Sequence, residues 1–436
     1  MTYRLFSLLF TAILGTAAPA QENWPQWRGA DQRNIAASEN LPVTWGESEN
    51  IVWKAPMPSW SGSSPIIWGD RIFVSTPSAP DPASREQREA GGPEILLLCL
   101  SKADGSELWR SEVCKGNPFA MKHNGSSPTP VTDGAHVWTL TGTGVLAAYD
   151  MDGNFLWKHE LQAEHSPFGL LFGYASSPVL HNGKIIIQVL HGYKTEAPSY
   201  LAAYDALMGA PAWYLERRMD VLSETHDAYT TPFLLTEGDK TVMIVTGGGH
   251  VTGHDPDTGR ELWRAAGLDP QRSKNYRIIT SATAGDGMVF APSRQRPVLG
   301  IRTGGEGDVT ATHTAWAWTK PGGPDVPTPV YRGGCLYMVD DSGNVRCLDA
   351  KTGELFWGPE RTAKGIVSAS PLLAGNRLYI TNEEGVTSVL QLSPDPKLLA
   401  SNSLPVPEGR VLSSLAVSGD RLYLRTPTHL YCIGKE

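Results

Sequence analysis

One motif dictates what this chain can become, because it recurs. "LDAKTGELFW" places Asp349, Thr352, Gly353 and Trp357 in a fixed frame, and "HDPDTGRELW" repeats it with Asp255, Thr258, Gly259 and Trp263. Weaker copies carry Gly105 and Trp109, then Asp150, Gly153 and Trp157, then Asp205, Gly209 and Trp213. An active site needs its residues once, whereas a motif repeated at roughly regular intervals is a construction device. Glycine permits the left-handed backbone of a tight turn, and Asp and Thr side chains bond the turn amides. The tryptophan four residues on is placed to cover a seam between neighbouring units.

Each unit also begins alike, with a Ser/Thr step usually followed by Pro. Eight such openings start near residues 63, 126, 176, 230, 281, 327, 368 and 413. Within each, a short apolar run meets a Gly/Asn/Asp turn and a second apolar run, which is a hairpin signal. A third strand, the Asp–Gly turn and a Trp-bearing fourth strand complete the unit. Four strands per unit, repeated eight times, predict an all-β, eight-bladed β-propeller of four-stranded blades. The last unit stops after its third strand, at "HLYCIGKE", and the missing strand stands at the other end, in "NIVWKAPMP", with Trp53 in the tryptophan slot. The N-terminal strand is therefore expected to complete the C-terminal blade and close the ring, removing exposed sheet edges.

Residues 1–20 read as a signal peptide: Arg4, a short apolar core, and Ala18-Pro19-Ala20 before Gln21. Residues 21–436 are then expected to form a single, soluble, monomeric propeller domain, exported to the periplasm or beyond the cell, without a transmembrane segment. The 45 glycines and 33 prolines suit many strands joined by tight turns, and a net charge of −8 argues against nucleic-acid binding. The five cysteines are too few and scattered for a disulfide scaffold. Cys335 and Cys347 flank the turn "DDSG" and are either a cross-hairpin disulfide or small core residues.

The repeat resembles the pyrroloquinoline-quinone (PQQ)-type repeat, whose units end in A-x-D-x-x-T-G-x-x-x-W. The likeness spans nearly the whole chain after residue 20, although the seventh unit, ending in "KLLASN", lacks the tryptophan. Two kinds of protein share such repeats. In quinoprotein alcohol dehydrogenases an eight-bladed propeller holds PQQ and Ca²⁺ over its channel. This sequence lacks the vicinal cysteine pair common there, any Asp-rich calcium stretch and the extra capping segments. Non-catalytic propellers form the other kind, including the scaffold lipoprotein of outer-membrane β-barrel assembly, whose lipid-attachment Cys has no counterpart here. The opening "NWPQWRG" looks most like exported, PQQ-like bacterial propellers.

Propeller geometry puts the interblade loops and the second turn of each blade on one face. Sorted this way, that face collects His123, Asn124, His165, Tyr174, Glu224, His226, Asp227, Tyr229, Tyr276 and Arg277 from interblade loops. The second turns add His191, Tyr193, Lys194, His250, Arg294 and Arg296. The expected ligand-binding set at the channel mouth is His123, Asn124, Tyr174, His191, Lys194, His226, Asp227, Tyr229, His250 and Arg277. No catalytic residue is assigned. Imidazole and carboxylate suit transition metals, so His123, His226, Asp227 and His250 are the set to examine, though their spacing matches no metal motif. "GGEGDVTATH" lacks the ending of a phosphate loop. The acid pairs Asp340-Asp341 and Glu383-Glu384 read as solvated turn residues.

The leading expectation is a non-catalytic exported propeller that binds a protein partner or a small ligand on this face. The first alternative is a PQQ- and Ca²⁺-dependent oxidoreductase, with Arg277 or Lys194 near the quinone. The second is a metal-dependent enzyme acting on carbohydrate.

Overall fold

A computed structural model describes residues 22–80 and 93–435. The signal peptide expected at residues 1–20 lies outside them. Eight antiparallel sheets follow one another along the chain. Blade one comprises Ile66–Trp68, Arg71–Pro77, Ile95–Ser101 and Glu107–Cys114, innermost strand first. Blade eight has three strands from the C-terminus, Ala416–Ser418, Arg421–Arg425 and His429–Ile433, and takes Ile51–Pro56 as its outer strand. That strand pairs antiparallel from Ile51 opposite Ile433 to Pro56 opposite His429, so the expected closure is the one observed. The whole is the eight-bladed propeller of four-stranded blades that the repeats specify.

The repeated motifs have the roles assigned to them, with one addition. Asp349 Oδ1 accepts the Lys351 and Thr352 amides, both at 2.8 Å, and Thr352 Oγ1 accepts that of Glu354 at 3.2 Å. Five outer-strand tryptophans, Trp53, Trp109, Trp157, Trp213 and Trp316, dock on the turn of the next blade, so at those junctions the motif works in pairs across a seam. Trp109 Nε1 donates to Met151 O at 2.8 Å, Trp157 to Ala206 O at 3.1 Å and Trp213 to Pro256 O at 3.2 Å. Trp53, from the N-terminal strand, does the same to Lys102 O of blade one at 3.1 Å. The turn glycine is needed twice over: a Cβ on Gly209, whose φ is +71°, would lie 2.7 Å from Trp157 Cδ2. Blade five breaks the pattern. Its third and fourth strands, Val298–Arg302 and Thr314–Trp318, are joined by the "GGEGDVTATH" stretch, whose Gly307–Asp308 adds a parallel fifth strand to the outer edge of blade four.

The Ser/Thr openings explain how the ring is closed on the inside. The Ser64 amide donates to Thr129 Oγ1 at 3.0 Å, and the Thr129 amide to Ser177 Oγ at 2.9 Å. The chain of bonds continues through Thr231, Ser281, Thr328, Ser370 and Ser414. The Ser414 amide then donates to Ser64 Oγ at 2.9 Å, completing a circle of eight bonds, one per blade junction. A short side chain with a hydroxyl is required because the acceptor must sit within one residue of its own backbone.

The segment before the first blade plugs one end of the channel. The residues after the circle are mostly prolines, whose carbonyls have no strand partner in the narrow centre. Arg28 donates to Ala282 O at 3.2 Å and Pro329 O at 3.1 Å, Gln32 to Pro232 O at 2.9 Å, and Asn34 to Pro371 O at 2.7 Å. Trp24 is fixed by a bridge to Ile67, and Ile35–Ala36 pairs parallel with Leu373 and Ala374 of blade seven. Burying Arg28 holds its guanidinium down to about 9.

All five cysteines are free. Cys335 pairs with Asp349 and Cys347 with Tyr337, so the two thiols sit on a diagonal two residues out of register. No helix among the described residues is long and apolar enough to cross a membrane.

Candidate functional site

With one end plugged, the channel opens at the other as a cavity of about 370 Å³. Trp27, next to the buried Arg28, forms part of its lining, and hydroxyls of the circle surround it. Above them stand Phe172, Tyr229, Ile279, Val326 and Leu412, so the walls are largely apolar. A small hairpin pairs Phe119–Ala120 with His123–Asn124 and carries Met121 and Lys122 over the rim. Lys122 Nζ reaches across to Glu383 Oε1 at 2.6 Å, tying the loop before blade two to blade seven.

Three of the ten expected site residues meet in this cavity: His123, Tyr229 and Arg277. The His123 ring lies edge-on to Tyr229 with centroids 6.3 Å apart, and burial lowers its pKa. Tyr229 Oη accepts the Phe172 amide at 3.0 Å. Arg277 stands over the Phe172 ring at 5.3 Å and between two carboxylates, Glu224 at 3.6 Å and Asp325 at 3.5 Å. Burial raises the pKa of Asp325, and it raises that of Asp341 close by, where the Asp325 charge adds to the effect.

The other seven support loops around the cavity. Asn124 is buried and bonds Trp60 O at 3.0 Å. Tyr174 is core, with its hydroxyl donating to Gln188 O at 2.7 Å. His191 is 1% exposed and bonded at both ring nitrogens, to the Gly169 amide and Pro198 O. Lys194 donates to Leu171 O, and His250 Nδ1 lies 2.9 Å from Gly248 O. His226 packs beside Gly192. Asp227, fully buried, accepts the Leu171 amide at 2.7 Å and that of Tyr193 at 3.1 Å, and burial still pushes its carboxyl up to about 6. Among the described residues no three His, Cys, Asp or Glu side chains converge as metal ligands, so His123, His226, Asp227 and His250 do not form such a set.

Sequence reasoning missed Trp27, Phe172 and the hydroxyl circle. For the circle the signal was present, since Ser or Thr stands before Pro, Ala or Leu at all eight openings. Glu383 differs from expectation: the turn residue read as solvated is 6% exposed and is bonded by Ser368 Oγ at 2.5 Å as well as Lys122.

A family model described as outer membrane protein assembly factor BamB matches residues 94–357 and 305–426. A BamB of Burkholderia pseudomallei is 22% identical over 74% of this chain and 82% of its own length. Quinohemoprotein alcohol dehydrogenase ADH-IIG of Pseudomonas putida is 29% identical, but over only 38% of this chain and 23% of that enzyme. A europium-containing methanol dehydrogenase superposes with a TM-score of 0.64 at 12% identity, covering 92% of this chain and 89% of that one, a likeness of fold alone. On the extent of the family match, the chain belongs to the PQQ-like propeller family described as outer membrane protein assembly factor BamB.

Proposed function

We propose that this chain is a non-catalytic propeller of the periplasm that docks a partner protein on its cavity-bearing face. The observation that carries the reading is the placement of exposed apolar side chains. Of the large apolar side chains exposed away from the outer strands, Phe119, Met121, Tyr193, Leu222 and Ile366 lie on that face, against Leu207 and Met208 on the opposite one. Large apolar groups gathered around a concavity favour association with another protein. The likeness to BamB, an assembly factor by name, supports the same reading.

PQQ is a flat tricarboxylate, and in dehydrogenases of this fold it is held with a metal ion. The cations lining the cavity are Lys122 and Arg277, and both are already committed to Glu383, Glu224 and Asp325. Glu224 and Asp325 flank Arg277, but no three His, Cys, Asp or Glu side chains among the described residues converge as metal ligands. The cavity does not fit the cofactor with its calcium.

A photo-crosslinking residue at Met121, compared with one at Met208 on the opposite face, tests the docking reading in cells. A defined protein adduct from position 121 alone is expected. Equal labelling from both positions would refute it, and Ca²⁺-dependent binding of PQQ by the purified protein would restore the oxidoreductase.

A further inference from the structure

The hydroxyl circle has a chemical consequence beyond closing the ring. Each of its eight hydroxyl oxygens accepts an amide hydrogen from the neighbouring blade. None of these hydroxyls donates to a protein group among the described residues, and a hydroxyl always has a proton to place. All eight residues are more than nine-tenths buried, and all but Ser64 line the cavity. Arg28, Gln32 and Asn34 occupy the carbonyls of Ala282, Pro329, Pro232, Ser370 and Pro371, beside four of the eight hydroxyls. Arg28 adds a buried positive charge behind Ser281 and Thr328, bonded to carbonyls rather than carboxylates, and its Nε has no hydrogen-bond partner. The floor of the cavity thus presents donors and a cationic field, while its walls are apolar.

We infer that this cavity binds a small organic monocarboxylate, its carboxylate on the Ser/Thr hydroxyls and its apolar body against Phe172, Tyr229, Ile279 and Leu412. One carboxylate suits a floor of neutral donors, because hydrogen bonds to a charged acceptor are about twice as strong as neutral ones. Three carboxylates spread around a flat ring do not, which separates this ligand from PQQ. A cavity of about 370 Å³ is at the small end of ligand sites. The inference does not depend on the docking reading, and either can fail alone.

Calorimetric titration of the full chain with benzoate, octanoate and the neutral benzyl alcohol tests it. One-to-one binding of a carboxylate, roughly tenfold or more tighter than the alcohol, is expected. Tighter binding of octanoate points to a lipid-derived ligand, and of benzoate to an aromatic acid. Thr328→Val, which removes one hydroxyl, should weaken binding roughly tenfold. Should that variant fail to fold, Ala175→Phe fills the cavity from its wall, leaves the circle intact and should abolish binding. The inference is overturned by no binding of either carboxylate at millimolar concentration, by equal binding of the alcohol, or by unchanged binding to Ala175→Phe.

Discussion

Two glycines in blade three separate what a turn demands from what a neighbouring tryptophan demands. Gly183 and Gly209 have nearly the same backbone, with φ of +70° and +71°. A Cβ added at Gly183 would meet nothing within 4 Å, whereas at Gly209 it would lie 2.7 Å from Cδ2 and 2.9 Å from Cγ of Trp157. Gly183→Ala therefore costs only the left-handed conformation, about 1–2 kcal/mol. Gly209→Ala carries the same cost and also pushes the indole off the turn. Overpacking adds about 1–3 kcal/mol, and loss of the 3.1 Å bond from Trp157 Nε1 to Ala206 O adds about 1 kcal/mol. The second variant should thus be less stable than the first by about 2–4 kcal/mol. Urea unfolding followed by tryptophan fluorescence, with both midpoints and slopes compared, measures the difference. Equal midpoints would refute the idea that the repeat glycine exists for its neighbour's tryptophan.

Trp263 is 2% exposed, so Trp263→Ala should cost about 3–5 kcal/mol, while half-buried Trp357→Ala should cost less in the same assay. Ser64→Ala leaves the buried Ser414 amide without its acceptor and should cost about 1–3 kcal/mol, as seen in thermal unfolding. Asp227 gives a pH signature. Its carboxyl titrates near 6 in the folded chain and near 3.8 when unfolded, so the folded state holds the proton more tightly. Its contribution is favourable at acid pH and is lost as pH rises from about 4 to 6, a change of about 3 kcal/mol. Asp227→Asn should remove that component from the stability–pH curve, and identical slopes for the two proteins would contradict it.

The ring was legible in the sequence because each blade repeats the same local chemistry. Eight openings, the Asp–Gly turns and an unmatched Trp53 were enough to specify the blade count and the seam. Blade five was harder to read, since its outer Trp316 follows a long strap instead of an Asp–Gly turn and still reaches Ala350 O at 2.9 Å. The candidate site was less legible for a physical reason. Histidine and tyrosine on loops are as useful for bonding their own backbone as for binding a ligand, and His191 and Tyr174 do the former. The cavity also depends on a segment with no repeat. Trp27 and Arg28 gain their meaning only when residues far along the chain surround them, Arg28 meeting Ala282 and Pro329.

The N-terminal strand has a cost that is paid in time. Ser64 and Ser414 stand 350 residues apart, and Ile51–Pro56 finds its strand partner only at His429–Ile433. At about 5–20 residues per second, the ribosome needs roughly 20–70 s to deliver the second half of that seam. Throughout that interval the first strand is an unpaired edge carrying Trp53, the kind of surface that chaperones hold and that sticks to other nascent chains. The finished ring hides its edges, but the growing chain must be shielded until its last blade arrives.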